Sequence, residues 1–289
     1  MPPMDKKFLS EIRSAAQTRI KNSLLNAREE ANEGLRELAH AIAAKTDCKV
    51  WGGPIKSEDS ANRKLRDDYS KGVVPEGDWL EMKDLVRLTL VGRDSLHVQF
   101  IVIQVRKYCR VGLNERQDWK GLGLMKDAAQ VSDKNPSGYS GHNFVVRLRN
   151  GVPGEIQVNV PEILYGKGPK EDFCKGLGQR EWDRIRSQYR IESSLGHGLY
   201  EVYRVAKASD NGKEATKLSK EYYGYLRGAP RFDVARALQE KLTAFKEKNK
   251  HTKDEKGKDV FHWDELSPWP SPTRRSGSSS QTRSVNSAR

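Results

Sequence analysis

Lys56, Ser60 and Lys64 recur at every fourth position of "PIKSEDSANRK", so on a helix two ammonium groups and a hydroxyl share one face beside a Gly-Gly turn. Ammonium groups act as point charges toward phosphate oxygens, and such a stripe can hold a triphosphate. The same spacing also describes an ordinary solvated helix face. Asp84 opens the apolar run "DLVRLTLVG". A carboxylate at a strand end can take Mg²⁺, which needs one or two carboxylates and leaves its other positions to water and phosphate. An aspartate before a strand is often a turn residue.

A third stretch, "PSGYSGHNFVVRLRNGVPGEIQVNVPE", puts Glu155, Gln157 and Asn159 on one face of a strand, with Ile156, Val158 and Val160 on the other. Three polar residues on one face also describe the solvent side of a sheet. The neighbouring Gly-Tyr-Ser-Gly turn offers the ring of Tyr139 as a platform for a nucleobase. A stacking ring, a carboxylate and phosphate-binding lysines together make a nucleotide site.

These groups need elements to carry them. Apolar residues recur at three- and four-residue spacing from Lys6 to about Lys45, which predicts an amphipathic helical region, with two helices meeting near Gly34. "CKVWGGP" reads as a short strand entering a turn, and Ser57 to about Tyr69 as a polar helix. "DLVRLTLVG" reads as a strand and Ser95 to about Arg110 as a helix, a pairing that fits layered α/β or α+β architecture. "NFVVRLRN" and "GEIQVNVP" alternate on either side of Gly-Val-Pro-Gly, which predicts a hairpin. Residues 181 to 206 and 213 to 247 read as helical.

The chain has 289 residues, enough for one substantial core with extensions. Its 52 Lys and Arg against 39 Asp and Glu give a net charge of +13, which draws phosphates through long-range fields. Nucleotides, nucleic acid and acidic membrane surfaces all fit that charge. Cys48, Cys109 and Cys174 show no paired spacing, so neither a zinc site nor a disulfide framework is signalled, and a reducing compartment is expected. The first residues lack the apolar core of a signal peptide, and no run approaches the length of a membrane span. After Glu265, "LSPWPSPTRRSGSSSQTRSVNSAR" reads as a disordered basic tail.

In order along the chain, these motifs resemble the RelA/SpoT-like nucleotide pyrophosphokinases, the alarmone synthetases. The likeness rests on Lys-x3-Ser-x3-Lys at Lys56, Ser60 and Lys64, on Asp84 in "KDLVRLTLV", and on the Gly-Tyr turn in "SGYSGHNFVV" followed by "GEIQVNV". It spans about residues 45 to 165. "GGPIKS", "EIQVNVPEILYGK" and "GHGLYEVYR" look closest to a divergent branch with phage-associated and toxin-like members. The His-Asp motif of the family's hydrolase half is absent, so synthesis alone is implied.

The resemblance implies an α+β fold, a mixed sheet flanked by helices in a nucleotidyltransferase-like synthetase domain. It divides the chain into a helical region at 1–46, the synthetase domain at 47–210, a helical extension at 211–265 and the tail at 266–289. The implied reaction moves the β,γ-pyrophosphate of ATP to the ribose 3′-hydroxyl of a purine nucleotide. Asp84 would bind Mg²⁺, and Glu155 would share the metal or act as base. Lys56 and Lys64, with Ser60 and Arg63, would hold the ATP phosphates. Tyr139 would stack on the acceptor base, while Asn143, Gln157 and Asn159 orient its sugar and base.

The sequence departs from the family at three places. Pro54 replaces an arginine, leaving Arg66 as a substitute ATP contact, and Arg87 and Thr89 stand after the metal aspartate. Gly141, His142 and Asn143 shift the family histidine by one place, leaving His142 either an acceptor contact or a hydrogen-bonding turn residue. His197 reads as structural, with Tyr200 and Glu201 near the site, and Trp51 and Trp182 read as packing residues. Alternatives implied alongside are a toxin that pyrophosphorylates the 3′ end of tRNA and an inactive nucleotide- or RNA-binding module. An antitoxin or immunity protein is the expected protein partner, with no membrane role. The expected location is the cytoplasm, of the producing cell or of a target cell.

Overall fold

The computed structural model describes residues 6–53, 55–70, 79, 82–111, 123–130, 135, 137–206 and 209–253. Pro54, the end of the expected helical extension and the whole basic tail lie outside the described residues.

Helix α1 (Lys6–Asn26) gives way at Ala27 to α2 (Arg28–Thr46). The predicted break at Gly34 is absent because Ala31, Leu35, Leu38, Ala39 and Ile42 bury one continuous stripe, and that burial outweighs the helix penalty of one glycine. Asp47, left-handed at φ 58°, ends α2 and returns its N–H to Ala43.

Strand β1 (Lys49–Gly52), helix α3 (Glu58–Ser70), strand β2 (Val86–Val91) and helix α4 (Ser95–Val111) follow as the spacing predicts. Next comes β3 (Gly123–Gln130), which the sequence reading did not find, because "GLMKDAAQ" neither alternates nor carries β-branched residues. Then β4 (Gly141–Arg147) and β5 (Pro153–Asn159) form the predicted hairpin, closed by Leu148 N–H donating to Val152 O at 3.0 Å.

The five described strands make a mixed sheet in the order β1-β2-β5-β4-β3. Only the β2–β5 pair is parallel, with α4, β3 and β4 forming the crossover between them. On one face Leu88, Leu90, Phe144, Ile156 and Val158 join α2 and α4 in a core. His97 of α4 ties those helices together, its Nε2 2.6 Å from Thr46 O at the α2 terminus.

After β5 the chain is helical: α5 (Pro161–Lys167), α6 (Lys170–Leu177), α7 (Gln179–Tyr189), α8 (Leu195–Val205), α9 (Asp210–Arg227) and α10 (Phe232–Lys248). The helix expected over 181–206 is two helices, parted by left-handed Arg190 and Ser194. That over 213–247 is also two, parted at Gly228. These six helices share a second apolar cluster in which Tyr165, Phe173 and Trp182 meet ring to ring, with Trp51 of β1 against Phe173.

Candidate functional site

The site grows out of the sheet register. Arg87 pairs with Glu155 and Thr89 with Gln157 across β2 and β5, and Asn143 pairs with Gln157 across β4 and β5. Paired residues share a face, so these side chains form a polar patch opposite the α2–α4 core. Over it lies a cleft of about 530 Å³.

Lys56 and Lys64 reach this cleft by different routes. Lys64 is on α3, but Lys56 precedes the helix, held by its N–H donating to Leu85 O at 2.9 Å. Both nonetheless converge on one atom: Asp84 Oδ2 is 3.0 Å from Lys56 Nζ and 3.8 Å from Lys64 Nζ. Asp84 Oδ1 is buried and has no hydrogen-bond partner among the described residues. Ser60 and Arg63 line the same wall, Arg63 Nη2 lying 3.5 Å from Ser60 Oγ. Arg66, the substitute ATP contact, is exposed and does not line the cleft.

Glu155 occupies the floor. Its Oε1 accepts from Asn143 Nδ2 at 3.2 Å and its Oε2 from Gln157 Nε2 at 3.0 Å. The acceptor oxygen of the same amide, Asn143 Oδ1, is buried without a partner. Tyr139 lines the cleft beside them, its ring edge-on to Tyr223 at 5.8 Å. Burial pushes the Tyr139 hydroxyl well above its usual range, so it stays protonated at neutral pH. Its turn depends on Gly138 at φ +66°, where a side chain would also strike the α9 backbone at Lys220.

Two of the expected acceptor contacts point elsewhere. Period 2 places His142 and Asn143 on opposite faces of β4, and Asn143 has the cleft side. His142 instead stacks on Phe144 and bonds Asp127 of β3, which also takes Arg106 Nε at 2.7 Å. That arrangement corrects the reading of His142 as an acceptor contact. Asn159 shares the face of Glu155 but sits at the far end of β5, outside the cleft lining. Its Nδ2 donates to Tyr139 Oη at 2.7 Å and to Ser140 O at 3.0 Å. Asn159 therefore holds the tyrosine in place, not the expected ligand.

The second wall comes from elements to which the sequence reading gave little or no role. α8 brings His197, Tyr200 and Arg204, α9 brings Tyr223, and Lys167 enters from the end of α5. α8 can come this close because Gly196 packs on Tyr223, where a Cβ would lie 2.1 Å from the hydroxyl. His197 lines the cleft beside Tyr200. Lys56, Arg63, Lys64, Arg87 and Lys167 outnumber Asp84 and Glu155, the two carboxylates lining the cleft among the described residues, while Arg204 pairs with Glu201 at 2.8 Å; the excess of positive charge suits a polyphosphate.

The donor set also fits the expected metal. No group of three or more His, Cys, Asp and Glu converges among the described residues, and Asp84 and Glu155 are the carboxylates that line the cleft. Mg²⁺ takes such pairs and completes its shell with phosphate and water, and the orphaned Asp84 Oδ1 is an oxygen free to serve it.

With its mixed five-stranded sheet and basic, carboxylate-floored cleft, the chain is similar in sequence and fold to a synthetase toxin. It is 31% identical over 193 residues to the (p)ppApp synthetase toxin Tas1 of Pseudomonas aeruginosa (strain UCBPP-PA14). The match takes in 66% of this chain and 38% of Tas1, so the chain spans well under half the length of that curated relative. The solved complex of the Type VI effector Tas1 with its immunity protein superposes with a TM-score of 0.57 at 27% identity, covering 73% of this chain and 95% of that one. Small alarmone synthetase 2 from Bacillus subtilis aligns at 17% identity and a TM-score of 0.43, over 79% of this chain and 98% of its own. No family model matches the sequence.

Proposed function

We propose that this chain transfers the β,γ-pyrophosphate of ATP to the ribose 3′-hydroxyl of a purine nucleotide, with an adenine nucleotide as its leading acceptor. The observation that carries the reading is the convergence of Lys56 and Lys64 on Asp84, whose second oxygen is unsatisfied, in one cleft with Glu155. The adenine preference draws on the likeness to Tas1, named for (p)ppApp synthesis.

In this reading Lys56, Lys64, Arg63 and Ser60 hold the triphosphate, and Asp84 with Glu155 would hold Mg²⁺. The metal, when bound, neutralises charge on the phosphate oxygens. Glu155, steadied by Asn143 and Gln157, takes the proton from the acceptor 3′-hydroxyl as that oxygen attacks the β-phosphorus. The bond between the β-phosphorus and the α,β-bridging oxygen breaks, and AMP leaves. Most of this work is positioning and charge neutralisation, which phosphoryl-type transfer chiefly requires. The unpaired Asn143 Oδ1 offers an acceptor for a hydroxyl or amino group of the incoming nucleotide. A neutralising protein partner belongs to the same reading, supported by the solved Tas1 complex with an immunity protein.

The test is incubation with β-labelled ATP, Mg²⁺ and, separately, adenine nucleotides, guanine nucleotides and tRNA. The expected product is a 3′-pyrophosphorylated adenine nucleotide, absent with Glu155→Gln. No labelled 3′ product from any acceptor would overturn the reading, and label on tRNA alone would replace it with the tRNA-directed one.

A further inference from the structure

Lys167 closes α5 and points its ammonium into the floor of the cleft. Its Nζ donates to Gln157 Oε1 at 2.8 Å and stands 5.1 Å from the centre of the Tyr139 ring. An amide side chain has chemically different ends, and an ammonium can only donate. Lys167 therefore fixes Oε1 of Gln157 toward itself and turns the NH₂ end toward Glu155 Oε2, where it donates at 3.0 Å. Were the amide reversed, its oxygen would face a carboxylate oxygen.

We infer that Lys167 is a positioning residue: acting through Gln157, it orients the Glu155 carboxylate, and over Tyr139 it sets the adjoining platform in the same geometry. The inference rests on the reading of Glu155 as the base toward the acceptor. The placement is an expensive one for stability. Burial first, and nearby Arg87 with it, lower the ammonium to about 8 against the opposing effect of Glu155, so packing alone gives no reason for a charge here. A methionine of similar length would fill the space without desolvating an ion.

That contrast supplies the test. Lys167→Met is expected to lower kcat about tenfold with KM for ATP within about twofold, since ATP phosphates bind on the other wall. It should melt no lower than the wild type, while Lys167→Arg, which keeps a donor toward Gln157, should recover activity to within about threefold. A nucleotide-free readout is the Gln157 side-chain amide pair in ¹⁵N-glutamine-labelled protein, identified by its loss in Gln157→Leu. It should shift in Lys167→Met. An unchanged amide pair, an unchanged kcat, or a kcat loss that merely tracks a lowered melting temperature overturns the inference. A wild type without transfer activity would sink the functional reading instead, and the amide readout would still decide whether Lys167 orients Gln157.

Discussion

Lys56 Nζ lies 3.0 Å from Asp84 Oδ2, with both side chains about 85% removed from solvent, while the partner oxygen of that carboxylate is buried and unpaired. One oxygen is committed to the lysines and the other is left for a ligand. Removing the charge removes both functions at once. Asp84→Asn should reduce transfer by about 10²- to 10³-fold with little change in melting temperature, measured by initial rates and calorimetry.

Metal removal should act through the same atom. Chelation with EDTA should abolish transfer by the wild type and Mg²⁺ should restore it, while raising the midpoint of thermal unfolding in the presence of a non-hydrolysable ATP analogue. Asp84→Asn should lose that metal-dependent rise.

Glu155 accepts an amide N–H on each oxygen, so the neutral isostere keeps the shape and loses the base. Glu155→Gln should lower kcat by about 10²- to 10⁴-fold, with KM for ATP moving far less. Steady-state kinetics with saturating acceptor would check this split.

The pH dependence of stability carries a signature of Lys167. Its folded value of about 8 lies below the ordinary lysine value of 10.5, so the unfolded chain binds more protons between these limits. Its destabilising contribution is fully present below pH 8 and is relieved as pH rises toward 10.5. Other groups move oppositely there, such as the Cys109 thiol, which burial pushes up to about 12. The comparison is therefore with Lys167→Met: its stability advantage in urea unfolding should be largest at pH 7 and shrink steadily by pH 10.

The wall formed by α8 depends on packing from behind. Lys246 of α10 and Glu192 meet at 2.7 Å in a nearly dry pair, and Tyr222 Oη donates to Glu192 O at 2.7 Å, which fixes the loop feeding α8. Lys246→Met leaves the carboxylate without its charge partner and should cost about 3–5 kcal/mol in chemical unfolding. Gly196→Ala, which forces a methyl group against Tyr223, should cost about 1–3 kcal/mol and weaken nucleotide binding as well.

Much of the reactive face could be read from residue spacing. Alternation in β5 set Glu155 and Gln157 on the face that lines the cleft, and Lys56, Ser60 and Lys64, spaced by four, share one wall of it even though Lys56 precedes its helix. Period 2 also carried the answer for His142, since it and Asn143 cannot share a face. Lys167 and Arg204 were different. They are brought in by short helices whose placement depends on the second aromatic core, and no local pattern links them to Glu155. β3 escaped notice for a related reason, being an edge strand defined by its pairing with β4 and not by its own composition.

The parallel pairing of β2 with β5 gives the site a sense of timing. Asp84 comes early in the chain, Glu155 only after the whole crossover, and Lys167, Tyr200 and Tyr223 later still. No continuous segment holds both carboxylates with the far wall. Under the proposed function, a chain still emerging from a ribosome, or one drawn out into extended form, would carry half a phosphate clamp and no assembled base. Synthesis and unfolding would then be chemically silent states, with completion of the fold switching the proposed transfer on.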